Sequence, residues 1–544
     1  MSDPASTLEQ HYLRAFADAS RARDIERAFA VSEEAVSRGV ENPQFLGVAA
    51  QRRLRLGDVE GALPLLERAR ALKPRNPDIL NDLGLCLMRL NRANEAVDIF
   101  SAGLRQASNS AKLLFNKALA YEMIGALDME RNVLERVVVV APDHVPALNL
   151  LALLSADRND VEATRHYATR ALAISPKEIL SRIALAMANA GERNYAVAKQ
   201  DLGQLLGEPN LDPENRAMVQ VLMGDVLDGE KEYARAFDFY AAAKNVLREH
   251  YTPLYAASTA EKPLQRVARL EGYFRNIPDG SWCGKTTPVA KPRAHVFLTG
   301  FLRSGTTLLG QILAGHPDID VMQERDCLGE ATRDFMTAPD GLSRLAALDD
   351  AALTPYREAY WRNVRLLEHT LLQDVFVDKW PLPTTLLSLA GKLFPDAIVL
   401  FVQRDPRDVV LSCFRRRFAM SAEKFAMLSL EDIANSYAST AALCDVYRNK
   451  LGLTFVDARH EALLADPDAE TRRLCDALGL AWNESMLNFS GRAAMSNIDI
   501  PNSADLARGL SRDGEGHWRH YRSELAPVLP VLAPLCARFG YPEN

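Results

Sequence analysis

The sequence predicts two architectures in series: an all-α solenoid over residues 10–250 and an α/β domain over residues 294–544, joined by a connector over 251–293. Small residues recur every 34 positions through the first half. A short apolar strand near residue 295 then runs into a Gly-bounded loop and a helix, which is the start of a P-loop-like domain with a mainly parallel sheet. A second buried strand at 397–402 ends in an Arg-Asp-Pro turn. A chain of 544 residues exceeds what one hydrophobic core organises. With 48% apolar and 25% charged residues it reads as ordinary globular protein.

A net charge of −7 offers no global attraction to nucleic acid or anionic lipid, so neither is expected as a partner and any anion site must be local. Met1-Ser2-Asp3-Pro4-Ala5 lacks a basic and then apolar leader pattern, and no stretch approaches the ~20 apolar residues of a membrane span. A cytoplasmic location is expected. Cysteines 86, 283, 327, 413, 444, 475 and 536 are odd in number and scattered, which suggests buried, reduced thiols rather than disulfides or a zinc site.

Three tracks share the 34-residue period. Ala50, Gly84, Ala118, Ala152 and Ala186 let paired helices approach closely. Arg23, Gly57, Asn91, Gly125 and Asn159 mark the turn between the two helices, mostly with residue types that tolerate a left-handed conformation. Pro74, Pro142 and Pro176, with Ser108 in the missing slot, separate successive pairs, and Ala28, Ala62, Ala96 and Ala198 keep the small position of the second helix. This pattern resembles the tetratricopeptide repeat over about residues 10 to 245, although the family's Trp and Tyr positions hold other residues. The resemblance implies stacked helix pairs with a concave groove, a surface for docking a protein or peptide or for self-association. Lys231-Glu232-Tyr233-Ala234 arrives 38 rather than 34 residues after Arg193-Asn194-Tyr195-Ala196, and the insertion is assigned to a loop at Gly207-Glu208-Pro209-Asn210. Leu264 to Phe274 is amphipathic and is followed by Pro278-Asp279-Gly280 and Thr287-Pro288, a connector helix and an extended linker.

In the second half, His295-Val296-Phe297-Leu298-Thr299-Gly300 reads as a strand and Thr307 to Leu313 as a helix. Between them lies Gly300-Phe301-Leu302-Arg303-Ser304-Gly305-Thr306-Thr307, where backbone N–H groups and the helix N-terminus converge on an anion. Thr306 stands where a nucleotide triphosphatase needs lysine, which disfavours a Mg–ATP hydrolase, and Arg303 supplies a cation suited to a mixed anhydride. The Arg303 to Leu308 run resembles the 5′-phosphosulfate loop of sulfotransferases that use 3′-phosphoadenosine 5′-phosphosulfate (PAPS), particularly the tyrosylprotein-sulfotransferase-like branch. After the strand at 397–402, Arg404 and Ser412 hold the positions that bind the donor's 3′-phosphate in that family, the serine being expected near a helix start.

An attacking hydroxyl must lose its proton, and Glu324, 21 residues after Arg303, matches the spacing of the family's catalytic glutamate; Asp320, Asp326 and Glu330 are nearby alternatives. Lys379, between Val375-Phe376-Val377 and Trp380-Pro381, matches the family's catalytic lysine and would face the leaving oxygen, with Arg303 sharing the charge. The resemblance thus implies catalytic roles for Glu324, Lys379 and Arg303. It implies a donor site from Arg303, Ser304, Gly305, Thr306, Thr307, Arg404, Ser412 and Ser496, with adenosine 3′,5′-bisphosphate as product and no metal.

His316 is assigned to a helix end rather than to catalysis. Arg459-His460-Glu461 resembles the family's Arg-Tyr-Glu segment with His460 in place of tyrosine, which weakens a nucleotide role for His460. Gly516-His517-Trp518-Arg519-His520-Tyr521 resembles a closing motif over the nucleotide, and Trp518 and Tyr521 equally suit helix packing. Arg415-Arg416-Arg417 is read as a solvated run. The acceptor is any molecule bearing a hydroxyl, a protein tyrosine, saccharide, lipid or small phenol, and the repeats favour a peptide or protein. The rival readings are a repeat scaffold carrying an inactive nucleotide-binding domain, and a P-loop kinase, which must explain the missing lysine.

Overall fold

The 34-residue period becomes a period of helix starts in the computed structural model, which describes residues 4–282, 292–366, 373–379, 383–488, 512 and 514–542. First helices begin at Pro43, Pro77, Ala111, Val145, Ile179 and Pro213, and second helices at Ile25, Val59, Ala93, Leu127, Val161 and Tyr195. The turn between them takes its left-handed residue where the sequence places it, at Arg23, Gly57, Asn91, Gly125 and Asn159. The small track has a steric cause: a Cβ on Gly84 would lie 2.4 Å from the Phe100 ring of the facing helix. Proline at Pro43 and Pro77, capped by the Asn42 and Asn76 side chains, starts helices where the missing N–H costs nothing.

The expected loop insertion is corrected. Pro213 still starts 34 residues after Ile179, so the extra residues are not in the 207–210 loop. They lengthen the helix Pro213–Gly229 to 17 residues, against 13 in the helix Ile179–Gly191, which is about one added turn.

Two compact units divide between Ala188 and Asn189. In the first, Leu66, Phe100, Leu114, Leu134 and Leu148 are fully buried in one continuous core of interdigitating helix pairs. The second contains the last repeat helices together with a five-stranded sheet, parallel throughout: β1 (Ala294–Gly300), β2 (Ile319–Gln323), β3 (Val375–Lys379), β4 (Ile398–Gln403) and β5 (Thr454–Arg459), in the order β2-β3-β1-β4-β5.

Alternation along the strands splits their side chains between two cores. Val296, Leu298, Val377 and Leu400 face the helix Thr306–Leu313, and Phe297, Phe376 and Val399 face a larger cluster on the other side. The helix Pro263–Asn276 belongs to that second cluster, burying Leu270 and Phe274 beside Trp282, whose indole donates to Ser388 O at 2.8 Å. Burial of each such aromatic is worth about 1.5–3 kcal/mol, which fixes this helix on the core beneath the sheet. No described helix is long and apolar enough to cross a membrane.

Candidate active site at the ends of five strands

Each strand delivers one polar residue of interest at its C-terminal end, the edge where open parallel sheets bind ligands. The loop carrying Arg303 follows β1, Glu324 follows β2, Lys379 ends β3, Arg404 follows β4 and His460 follows β5. Thus Arg303, Glu324, Lys379 and Arg404, scattered over a hundred residues of sequence, gather at one edge.

The β1 loop is shaped by two close approaches. A Cβ on Gly300 would lie 2.6 Å from Ser304 Oγ and 2.8 Å from Val402 O. Gly305, at φ +106°, precedes the helix Thr306–Leu313, and a Cβ there would lie 2.4 Å from His460 Nδ1. Arg303 is itself left-handed at φ +67°, a strained state for a side-chain-bearing residue. Ser304 is fully buried and its Oγ has no hydrogen-bond partner; Arg404 Nε and His460 Nδ1 are likewise buried without one. Of these, Ser304 Oγ and Arg404 Nε are donors that fit an anionic ligand able to supply their missing acceptor. Gly305→Ala combines the φ and steric conflicts and should destabilise the protein by about 1–3 kcal/mol, read from chemical denaturation.

Around this loop Arg303 Nε donates to Ser412 Oγ at 3.0 Å, and Arg404 donates to Arg303 O at 3.1 Å and to Gly514 O at 2.6 Å. Two groups assigned to opposite ends of the donor are therefore contiguous. Ser412 sits at the seventh position of the helix Pro406–Arg415, not near its start as expected, so its contact with Arg303 is made by the hydroxyl away from the helix terminus. Thr306 is buried at the first position of its helix, and Thr307 Oγ1 lies 3.2 Å from Lys379 Nζ. Ser496 and Trp380-Pro381 lie outside the described residues.

Glu324 and Lys379 are joined twice. The pairing that sets Gln323 opposite Lys379 runs one residue further, with Glu324 N donating to Lys379 O at 2.8 Å. This holds Glu324 at φ +43° and turns its carboxylate onto Lys379 Nζ. The lysine side chain is 0% exposed and the glutamate 42%, so a molecule arriving from solvent meets the carboxylate first. Burial pushes the Lys379 ammonium below the usual lysine value, and the Glu324 charge and hydrogen bond partly oppose that shift. Two of the three alternative acids are engaged elsewhere: Asp326 accepts from Leu328 N, and Glu330 pairs with Arg362 at 3.0 Å and Asn363 at 3.1 Å.

Other assignments resolve through long-range contacts. His316 is buried, accepts from Asp318 N through Nδ1 and pairs with Ala481 O through Nε2, which closes the chain after the helix Thr306–Leu313. Arg415 is not solvated: its side chain is 20% exposed and pairs with Asp228 at 2.8 Å. Trp518 and Tyr521 are buried, with the Arg407 guanidinium 4.0 Å from the centre of the Trp518 ring.

The sequence reading missed Asp408, which accepts from Gly516 N at 2.7 Å and Trp518 N at 2.8 Å and whose carboxyl burial pushes up to about 6. It also set aside His460, whose imidazole is pushed down to about 3 by burial and by the Arg404 and Arg303 charges. The local signals for His460 are its place directly after β5 and its position in the Arg459-His460-Glu461 segment.

Residues 295–484 match a family model described as the sulfotransferase family, and residues 53–120 match one for the tetratricopeptide repeat. Protein-tyrosine sulfotransferase 1 of Danio rerio is 24% identical over 259 residues, covering 45% of this chain and 72% of its own. The human protein-tyrosine sulfotransferase 1 is 23% identical over 269 residues, covering 47% of this chain and 72% of its own. An uncharacterized protein of Aquifex aeolicus is 22% identical over 429 residues, 77% of this chain, and the chain spans about half, 54%, of that relative's length. A tetratricopeptide repeat protein from Parabacteroides merdae aligns at 17% identity and TM-score 0.35, over 44% of this chain and 93% of its own. The chain therefore joins a tetratricopeptide-repeat segment to a domain that matches the sulfotransferase family and is similar to protein-tyrosine sulfotransferases.

Proposed function

We propose that this chain is a PAPS-dependent sulfotransferase that moves a sulfuryl group to an acceptor hydroxyl. The observation that carries the reading is the convergence of Arg303, Arg404 and Ser412 on one Gly-bounded loop with buried, unpartnered Ser304 Oγ and Arg404 Nε. Bound PAPS would supply an activated sulfuryl group on a phosphate leaving group. Ser304, Gly305, Thr306, Thr307 and Arg303 would hold its 5′ end, and Arg404 and Ser412 its 3′-phosphate, with Ser496 assigned to the same site.

Glu324 is the general base, because its carboxylate is half-open to solvent and would take the acceptor's proton as the oxygen attacks. Lys379, fixed between Thr307 and Glu324, would place a positive charge where negative charge accumulates on the leaving oxygen. Arg303 adds a second cation on the loop itself. Protein-tyrosine sulfotransferases among the relatives, together with the repeats, favour a peptide or protein acceptor bearing a tyrosyl hydroxyl. The repeat groove is proposed as its docking surface or as a surface for self-association. Six described cysteines are buried and unbridged, which supports a reducing, cytoplasmic setting.

Calorimetric titration with adenosine 3′,5′-bisphosphate, and with ATP plus magnesium, tests the donor site. Wild type should bind the bisphosphate and Arg404→Ala should bind it at least about tenfold more weakly, since a charge-assisted contact is worth about 1.5–3 kcal/mol. Absence of bisphosphate binding would overturn the reading in favour of a scaffold, and preference for Mg–ATP would overturn it in favour of a kinase.

A further inference from the structure

The helix Pro213–Gly229 belongs in sequence to the repeats, yet its Asp228 is wired to both elements that enclose the proposed donor site. Asp228 Oδ1 accepts from His517 Nε2 at 2.9 Å and from the Tyr521 hydroxyl, and Oδ2 pairs with Arg415 at 2.8 Å. The carboxylate is 13% exposed, so these partners replace nearly all of its water.

Arg415 is the last residue of the helix Pro406–Arg415, three residues beyond Ser412, and is also 3.7 Å from Asp225, which accepts from the Tyr240 hydroxyl. His517 and Tyr521 bound the short helix that follows Gly516, and Tyr233 of the next repeat helix stacks on His520 at 4.4 Å. The segment just before that short helix reaches the donor site directly. Arg404 donates to Gly514 O, a Cβ on Gly514 would lie 2.8 Å from the Arg404 guanidinium, and Asp408 holds the Gly516 and Trp518 amides.

From this wiring we propose that Asp228 is a positioning residue for donor binding: one carboxylate from the helical-repeat segment sets both the helix that presents Ser412 and the 514–521 segment that orients Arg404. The inference rests on the donor reading above. Its consequence is regulatory, because a partner that displaces the helix Pro213–Gly229 would lower affinity for the donor without touching the donor site.

The test measures adenosine 3′,5′-bisphosphate affinity by calorimetry and amide exchange of residues 514–521 for wild type, Asp228→Asn, His517→Ala and His517→Gln. Asp228→Asn and His517→Ala should weaken binding about tenfold, within the range of coupling changes seen for residues remote from a ligand, and speed exchange across 514–521. His517→Gln, which keeps an N–H donor near the position of Nε2, should restore both. In turnover assays the loss should fall on the KM for the donor, leaving the KM for the acceptor unchanged. If Asp228→Asn does not fold, the two His517 variants decide. Wild-type binding together with undiminished binding by His517→Ala would overturn the positioning role alone, as would failure of His517→Gln to restore it. A wild type that does not bind the bisphosphate would instead overturn the donor reading and this inference with it.

Discussion

Glu324→Gln is expected to lower turnover by about 10²- to 10⁴-fold, the range that a positioned general base contributes, while leaving affinity for adenosine 3′,5′-bisphosphate unchanged. The substitution keeps the shape of the side chain and the backbone link from Glu324 N to Lys379 O, so the end of β2 stays in place. What disappears is a proton acceptor open to solvent and a negative charge beside a buried ammonium. That charge is one of the effects holding Lys379 up against desolvation, so the variant's lysine should lose its proton at lower pH than the wild type's. Single-turnover rates across pH, together with calorimetry, separate the two consequences. Unchanged turnover would remove Glu324 from the reaction and return attention to Asp320, Asp326 and Glu330.

How much was legible follows from the range of the interactions. The repeat tracks are local: the residue at each turn is left-handed because the helix it follows ends there, and Arg23, Gly57, Asn91, Gly125 and Asn159 all take that conformation. The loop after β1 was legible in part for the same reason, since Gly300 meets Ser304 within the loop and Gly305 takes a left-handed φ, whereas their contacts with Val402 and His460 are long-range. Arg404, Glu324 and Lys379 could be named only through the family resemblance, and the parallel strands, which all end at one edge, are what bring them together. The contacts of Asp408, Arg415 and Asp228 could not be read, and Arg415 is placed by the sequence in a solvated run that the structure contradicts. Their partners lie 108, 187 and 289 positions away, and no periodicity in either segment marks the other. The misplaced insertion has a different origin: a helix lengthened by one turn and a loop lengthened by four residues shift the downstream register equally, and only the start at Pro213 distinguishes them.

Lys379→Met should abolish most turnover, by about 10²- to 10³-fold, as expected when a preorganised donor to developing charge is lost. The effect on folding should be small or of opposite sign. The ammonium is fully buried and burial lowers its pKa, so at neutral pH the folded state bears the cost of a desolvated charge that Glu324 offsets only in part. Methionine fills similar volume with no charge, and Glu324, released from the pair, remains accessible to water. The sign of the pH dependence follows from the same shift. The unfolded chain holds the lysine proton up to the ordinary value while the folded protein releases it earlier, so between the two values the unfolded state binds more protons. Wild-type stability should therefore gain from this group as pH rises through that window, while activity falls as the ammonium is lost. Lys379→Met should show neither change. Thermal denaturation and turnover measured over the same pH series test both at once, and a variant that loses stability in step with activity would make Lys379 structural rather than catalytic.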